Sequence, residues 1–306
     1  MAMDDDLRSL VRTSVRQAIQ QPADQIDGAL AAFGWRDLAA TDPALAITAL
    51  FEEQGHLAVS TAALDLLASE ALALDDDVTV IWSHRSTPSG RRGDDGAVVV
   101  DGIALCRGPE PGRRTLVPVD DRVHAVAELD VVERGLGGMA AGSGWVRVRG
   151  RATGVDDVGA WPELERRARL ALASELVGVS QRILDVAAEQ VSERRQFGKP
   201  IGTYQAVRFR LAEAYAETAG ARAFVAAAWE DGAPDAARWA KAAAGAAHDA
   251  VAKHAIQVCG AIGLSEEHVL PSLVRRGFAL DALLGSAAPA APVGTEAGDR
   301  VAVGAF

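Results

Sequence analysis

Between residues 156 and 286 the apolar residues keep a helical period too long for strands. Leu172, Leu176, Val179, Ile183 and Val186 step by four and three, which puts them on one helix face. Glycine and proline set the breaks. The spacing predicts a first helix that stops at Gly198, with Pro200 just beyond, and a second that is capped by Thr203 and runs to Gly232-Ala-Pro234. It predicts a third, capped by Asp235 and reaching Cys259, and a fourth that starts at Pro271 and ends near Gly285. Long helices on short loops must lie antiparallel, so 156–286 reads as a four-helix bundle.

The front of the chain divides in two. Residues 1–78 read as helices. Leu7, Leu10, Val11, Val15, Ala18 and Ile19 recur at helical spacing, Asp42-Pro43 has the form of an N-cap before a first-turn proline, and 61–73 is rich in alanine and leucine. Residues 79–155 alternate instead, at Val78, Val80 and Trp82, at Thr115–Val119 and at Val146–Val148. Asp101-Gly102 between Ala97–Val100 and Ile103–Cys106 reads as a two-residue hairpin turn. A small antiparallel β domain with short strands follows. Residues 287–306, rich in Ala, Pro and Gly without a period, read as a flexible tail. The fold class is α+β, mostly α.

Charge narrows the partners. With 31 Lys and Arg against 42 Asp and Glu, the 306-residue chain carries −11, which argues against nucleic acid or an anionic membrane surface. Its two cysteines, Cys106 and Cys259, are too few for a disulfide framework or a cysteine-based zinc site. No run of about 18 apolar residues predicts a membrane span, and the acidic start does not read as a signal peptide, so a cytoplasmic location is expected. The histidines are scattered. His248 and His254, six apart, fall on opposite helix faces and read as surface or interface residues, so no metal site is expected. Gly135-Leu-Gly137-Gly-Met-Ala140 fits a dinucleotide fingerprint in letters, but the glycines and strand after it read as an inter-strand loop. Arg91-Arg92 and Arg113-Arg114 read as solvated turn charges.

Two segments carry more than helix ends require. In Ser192–Ile201, followed by Tyr204-Gln205, arginines, a glutamine and an aromatic cluster at a helix end, which suits an extended anion and an aromatic ring. In Gln257–Leu264 a glutamine precedes a glycine-rich turn, where small residues let backbone N–H groups approach a pyrophosphate. Capping accounts for Gly198 and Gly260 but not for the cluster of Arg194, Gln196 and Phe197.

These segments resemble the acyl-CoA dehydrogenase family, whose pattern is R-x-x-F-G-x-x-I…Q and then Q-x-x-G-G-x-G. Here it stands as Arg194-Arg-Gln-Phe197-Gly-Lys-Pro-Ile201…Gln205 and Gln257-Val-Cys-Gly260-Ala261-Ile-Gly263. Leu176-Val-Gly178…Gln181…Leu184-Asp185 and Leu211-Ala-Glu213 also look like it. The resemblance implies an N-terminal helical domain, a middle β domain and a C-terminal four-helix bundle, with FAD shared across a subunit interface. It implies that Arg194, Gln196, Phe197, Gln257, Gly260 and Ala261 contact a neighbouring subunit's flavin, with Arg194 the main partner of the pyrophosphate and Ala261 replacing the second glycine.

The family oxidises the Cα–Cβ bond of an acyl-CoA thioester and needs a carboxylate base. The two positions where the family puts that glutamate are Ala168, before Arg169, and Leu284. A T-E-P-x-x-G-S-D-like flavin segment is not recognisable, and Ile81–Ser89 is nearest in place. The resemblance therefore points to the base-lacking subunit of a heteromeric acyl-CoA dehydrogenase, a heterotetramer of the actinobacterial steroid-degrading type and inactive alone. Its implied partners are a catalytic subunit that carries the glutamate, an acyl-CoA substrate and an electron-transfer acceptor. One alternative is a homo-oligomer with a displaced base, Glu165 or Asp281, each one helical turn from a lost position. The other is a non-catalytic assembly protein of the same fold.

Overall fold

Helices α1 (Ala2–Ile19), α2 (Ile26–Phe33), α3 (Trp35–Thr41), α4 (Pro43–Leu57) and α5 (Ala63–Ala71) open the computed structural model, which describes residues 2–22, 24–74, 78–85, 87–94, 96–105, 109, 113–129 and 144–286. In α1, Val11, Val15, Ala18 and Ile19 are buried as their spacing predicts, while Leu7 and Leu10 face outward. Asp42 caps α4: its Oδ1 accepts from Leu45 N at 2.9 Å, with Pro43 in the first turn. Two buried carboxylates tie α4 to its neighbours. Glu53 accepts from Arg12 and Arg16, and Glu52 from Arg222.

The strands are β1 (Val78–Val80), β2 (Gly90–Arg92), β3 (Val98–Ala104), β4 (Arg114–Val119), β5 (Arg122–Leu129) and β6 (Val146–Ala160). Their order is β1-β4-β2-β3-β6-β5, and β4 also pairs with β5, so the sheet closes on itself. A core of Val98, Val100, Ala104, Val117, Val119, Val126 and Val148 fills the ring. The pairing is antiparallel except where β4 meets β1 and, at Gly90↔Val119, β2.

Four expectations for this region need correction. Asp101-Gly102 is not a turn: β3 runs straight through it, pairing Asp101 with Arg149 and Gly102 with Val148 on β6. The glycine serves close packing, since a Cβ there would stand 2.6 Å from the Trp82 carbonyl oxygen. The two-residue turn is Asp120-Asp121, with Asp120 at φ 54°. The strands are not all short, because β6 spans fifteen residues. Asp156 and Asp157 lie in β6, where Asp157 pairs with Arg122 at 2.7 Å, so helix begins at Trp161 rather than at 156. Arg91 and Arg92 belong to strand β2 rather than to a turn.

Helices α6 (Trp161–Glu193), α7 (Gln205–Asp231), α8 (Pro234–Cys259) and α9 (Leu270–Asp281) follow. At 33 residues α6 is about 50 Å long. It crosses α4 with the two backbones in contact. A Cβ on Gly55 would come 2.2 Å from Glu175 O, and one on Gly178 would come 2.1 Å from Glu52 O. Thr203 does not cap α7: its hydroxyl donates to Pro200 O and Tyr204 is the capping position. Asp235 lies inside the first turn of α8 and pairs with Arg238. The last helix ends at Asp281, ahead of Gly285. His248 is fully buried, against the expectation of a surface or interface residue. Gly277 on α9 makes the room, since a Cβ there would overlap the ring, and Nε2 donates to Val274 O at 3.2 Å.

Cys106, the Gly135–Ala140 motif and the 287–306 tail lie outside the described residues.

Candidate functional site

Helix α6 stops at Glu193 because Arg194 turns into extended backbone, at ψ 121°. The next residues form a small hairpin, β7 (Arg195–Gln196) against β8 (Lys199–Pro200). Phe197 and Gly198 make its two-residue turn, both left-handed at φ 51° and 84°. Glycine takes that conformation freely, while an L-residue such as phenylalanine adopts it at a cost in strain. The strained ring is 92% exposed. Ile201 N donates to Arg194 O at 2.8 Å, and Tyr204 Oη donates to Gln196 O at 3.3 Å. The hairpin is thus fixed at its base.

Gln257 sits on the exposed side of the last turn of α8, and Gly260 and Ala261 open a 3-10 turn, Gly260–Leu264. Gly260 has φ 69° and ψ −152°, a glycine conformation. The two segments meet. Arg194 Nη1 donates to Cys259 O at 3.2 Å and lies 3.8 Å from where a Cβ on Gly260 would be. Arg194, Gln196, Phe197, Gln257, Gly260 and Ala261 are all exposed. The guanidinium beside a side-chain-free Cα, on a surface that also exposes an amide and an aromatic ring, fits a phosphate anion that carries an aromatic group. The pyrophosphate half of a flavin nucleotide has that chemistry. Burial pushes the Cys259 thiol up, with Arg194 pulling against it.

Ala168 and Leu284, the two positions at which the resemblance leads one to look for a base, lie elsewhere and are linked through Arg169. Ala168 is fully buried, and Leu284 is 3% exposed at φ 55°. Arg169 joins them: its Nε donates to Leu284 O at 3.3 Å and its Nη2 to Glu165 Oε1 at 2.8 Å. The loop after α9 is stitched to residues 83–85, with Leu284 N donating to Ser83 O at 3.1 Å and Arg85 N to Ala282 O. Both acidic neighbours are held by cations. Glu165 pairs with Arg169. Lys241, buried, donates to Asp281 O at 2.9 Å, to Gly285 O at 3.1 Å and to Asp281 Oδ1 at 3.4 Å. Desolvation lowers the Lys241 pKa to about 8 against the pull of Asp281. In segment 81–89, Ile81 and Trp82 are buried, and Trp82 leans on Trp161 with ring centroids 6.0 Å apart.

Residue pattern alone overlooked Lys241 and the buried carboxyl of Asp65. A lone lysine in an alanine-rich helix and a lone aspartate in a leucine-rich one carry no spacing signal. Among the described residues no group of three or more His, Cys, Asp or Glu could hold a metal ion, and no helix is long and apolar enough to cross a membrane.

The acyl-CoA dehydrogenase C-terminal domain family matches residues 166–287. The chain is 36% identical over 125 residues to the acyl-CoA dehydrogenase IpdE2 of Mycobacterium tuberculosis, a stretch that covers 41% of this chain and 39% of that protein. It is 35% identical over 118 residues to IpdE2 of Mycolicibacterium smegmatis, covering 39% and 38%. Its matched part thus spans about two fifths of these relatives' length. Among solved structures it resembles the ChsE4-ChsE5 complex from Mycobacterium tuberculosis, with TM-score 0.66, 24% identity, and 92% of this chain and 93% of that chain covered. It also resembles the Tcur3481-Tcur3483 steroid acyl-CoA dehydrogenase, with TM-score 0.69, 20% identity, and 92% and 95% covered. Residues 166–287 belong to the acyl-CoA dehydrogenase C-terminal domain family, and the chain around them has the acyl-CoA dehydrogenase fold.

Proposed function

We propose that this chain is the base-lacking subunit of a cytoplasmic heteromeric acyl-CoA dehydrogenase, a heterotetramer, in which it lends FAD-binding residues to a partner that carries the catalytic glutamate. One contrast supports the reading. The residues that would hold a neighbour's flavin, Arg194, Gln196, Phe197, Gln257, Gly260 and Ala261, are exposed, and Arg194 ties their two segments together. The positions that would hold this chain's own base, Ala168 and Leu284, are apolar and sealed.

Bound FAD would take the β-hydride of the acyl group and pass the electrons to an electron-transfer acceptor, while the partner's carboxylate takes the α-proton. This chain's residues act on binding. Arg194 offsets the pyrophosphate charge from a guanidinium already oriented by Cys259 O. Gln257 supplies an amide, and Phe197 a ring face held clear of its own chain. A steroid-derived acyl-CoA is the proposed substrate class, supported by the likeness to a steroid acyl-CoA dehydrogenase.

A homo-oligomer that uses Glu165 or Asp281 as base fits less well, because Arg169 and Lys241 hold those carboxylates. An assembly protein without flavin would have no use for an exposed Arg194 and Phe197 on one short hairpin segment.

The test is purification of the chain alone and together with a family member that carries the glutamate. A colourless lone chain and a yellow, active complex are expected. A yellow, active homomer would refute the proposal.

A further inference from the structure

From Arg194 to Ala212 the chain holds four arginines, one lysine and no acidic residue, while its other parts hold 26 basic residues against 42 acidic ones. All five cations, Arg194, Arg195, Lys199, Arg208 and Arg210, are exposed. Among the described residues none of the five pairs with a carboxylate. Elsewhere pairing is the habit of this chain, as at Arg12, Arg16, Arg122, Arg167, Arg169 and Arg276.

Four of the five gather at the hairpin. Arg194 stands at its base, and Arg195 Nη2 donates to Gly198 O at 3.2 Å. The Lys199 ammonium lies 4.3 Å from the centre of the Tyr204 ring, and Tyr204 Oη holds Gln196 O. Arg208 follows one turn along α7, its N donating to Tyr204 O at 3.1 Å. Tyr204 and Arg208 therefore share a flank of that helix, and Arg210 falls on the opposite one.

Like charges without counter-charge repel, the more so at low ionic strength. An acidic chain has carboxylates to spare for them and places none here, so the counter-charge comes from another molecule. The flavin proposed for this surface supplies too little. Its pyrophosphate has one negative charge on each phosphate, and Arg194 meets one of them. A long polyanion fits poorly, because beyond the hairpin it would run into the acidic remainder of the chain. Negative charge confined to the area of the hairpin, on a body that already lies against it, fits well.

We infer that Arg195, Lys199 and Arg208 form a docking surface for an acidic patch on the flavin-carrying partner subunit. The inference rests on the shared-flavin reading, which puts that subunit against Arg194 and Phe197. The contact steers the two chains together and favours an acidic partner over a basic one.

The test mixes the full chain with a flavin-loaded family member that carries the glutamate, and measures association by calorimetry at about 50 mM and about 500 mM NaCl. Lys199→Glu/Arg208→Glu should weaken association by at least about 100-fold at the lower salt and by less than about tenfold at the higher. The complex formed at saturation should keep its flavin, since Arg194 is untouched. Lys199→Glu alone should cost about tenfold at the lower salt, and Arg36→Glu, the same charge change made at an exposed position on α3, less than about twofold. A yellow complex that is indifferent to the double reversal, or weakened equally at both salts, overturns the inference and leaves the shared flavin standing. If the unaltered chains form no complex, the functional reading falls and the inference with it. Binding of the lone chain to oligothymidylate or to phosphatidylserine vesicles, lost in the double variant, would give the patch to another polyanion and overturn it too.

Discussion

Arg194 reaches across sixty-five residues of sequence to the carbonyl oxygen of Cys259, at 3.2 Å. That hydrogen bond joins the end of α6 to the end of α8 and aims a guanidinium along a glycine. If the pair is a flavin contact, Arg194→Ala should lower the FAD affinity of the reconstituted complex by about 10- to 100-fold, the worth of one charged hydrogen bond. The exposed side chain contributes little to the fold, so the melting temperature should move little. Arg194→Lys should restore only part of the loss, because a point charge cannot reproduce the fork. Flavin absorbance after gel filtration checks all three.

Glu165 separates the shared-site reading from the displaced-base reading. Its carboxylate is paired with Arg169 at 2.8 Å, and Arg169 in turn holds Leu284 O. In Glu165→Gln, turnover of the complex should stay within about twofold, with a stability loss of about 1 kcal/mol as the pair weakens. A fall in kcat of a hundredfold or more with flavin still bound would make Glu165 the base.

The crossing of α4 and α6 tolerates no added atom. Gly178→Ala would set a methyl carbon 2.1 Å from Glu52 O, a backbone atom that cannot rotate away. The helices must then separate, carrying Glu52 and Glu53 with them. A destabilisation of about 3 kcal/mol or more is expected, at the upper end for overpacking. Urea unfolding measures it, and a change below about 1 kcal/mol would mean that the helices cross less closely.

Asp65 sets a pH dependence of stability. Its carboxyl holds its proton up to about pH 7 in the folded state, whereas the unfolded chain releases it near 3.8. Between those values the unfolded state binds fewer protons, so stability falls as pH rises through the window. The loss is complete above about pH 7 and on the order of 4 kcal/mol. Asp65→Asn should remove most of that slope relative to the parent chain in urea titrations at pH 4.5, 6 and 7.5. Equal slopes in the two proteins would show that Asp65 ionises normally.

Much of the bundle could be read in advance because its signal is periodic. Leu172, Leu176, Val179 and Ile183 are buried as their spacing requires. Turn chemistry misled in both directions. Asp101-Gly102 has the letters of a hairpin but runs through as strand, since its glycine answers to Trp82 in space and not to its neighbours in sequence. Phe197-Gly198 is a hairpin turn that the letters conceal, because phenylalanine seldom takes a left-handed backbone. For the site, the residues of both segments were legible, and their meeting through Arg194 and Cys259 was not. His248 looked exposed because a helical wheel cannot anticipate the hollow that Gly277 leaves on another helix.

The closed ring of strands limits how this chain can meet other proteins. A sheet edge recruits partners by offering unpaired N–H and C=O groups. Here β4 spends both of its sides on pairing, leaving little of the ladder to donate. Association through the helices would use Phe209, Tyr215, Phe224 and Trp239, which stand exposed on α7 and α8. Contacts of that kind are read by shape, side chain against side chain. They discriminate between similar partners more sharply than backbone pairing can, which is what choosing a non-identical relative over a second copy of itself would demand.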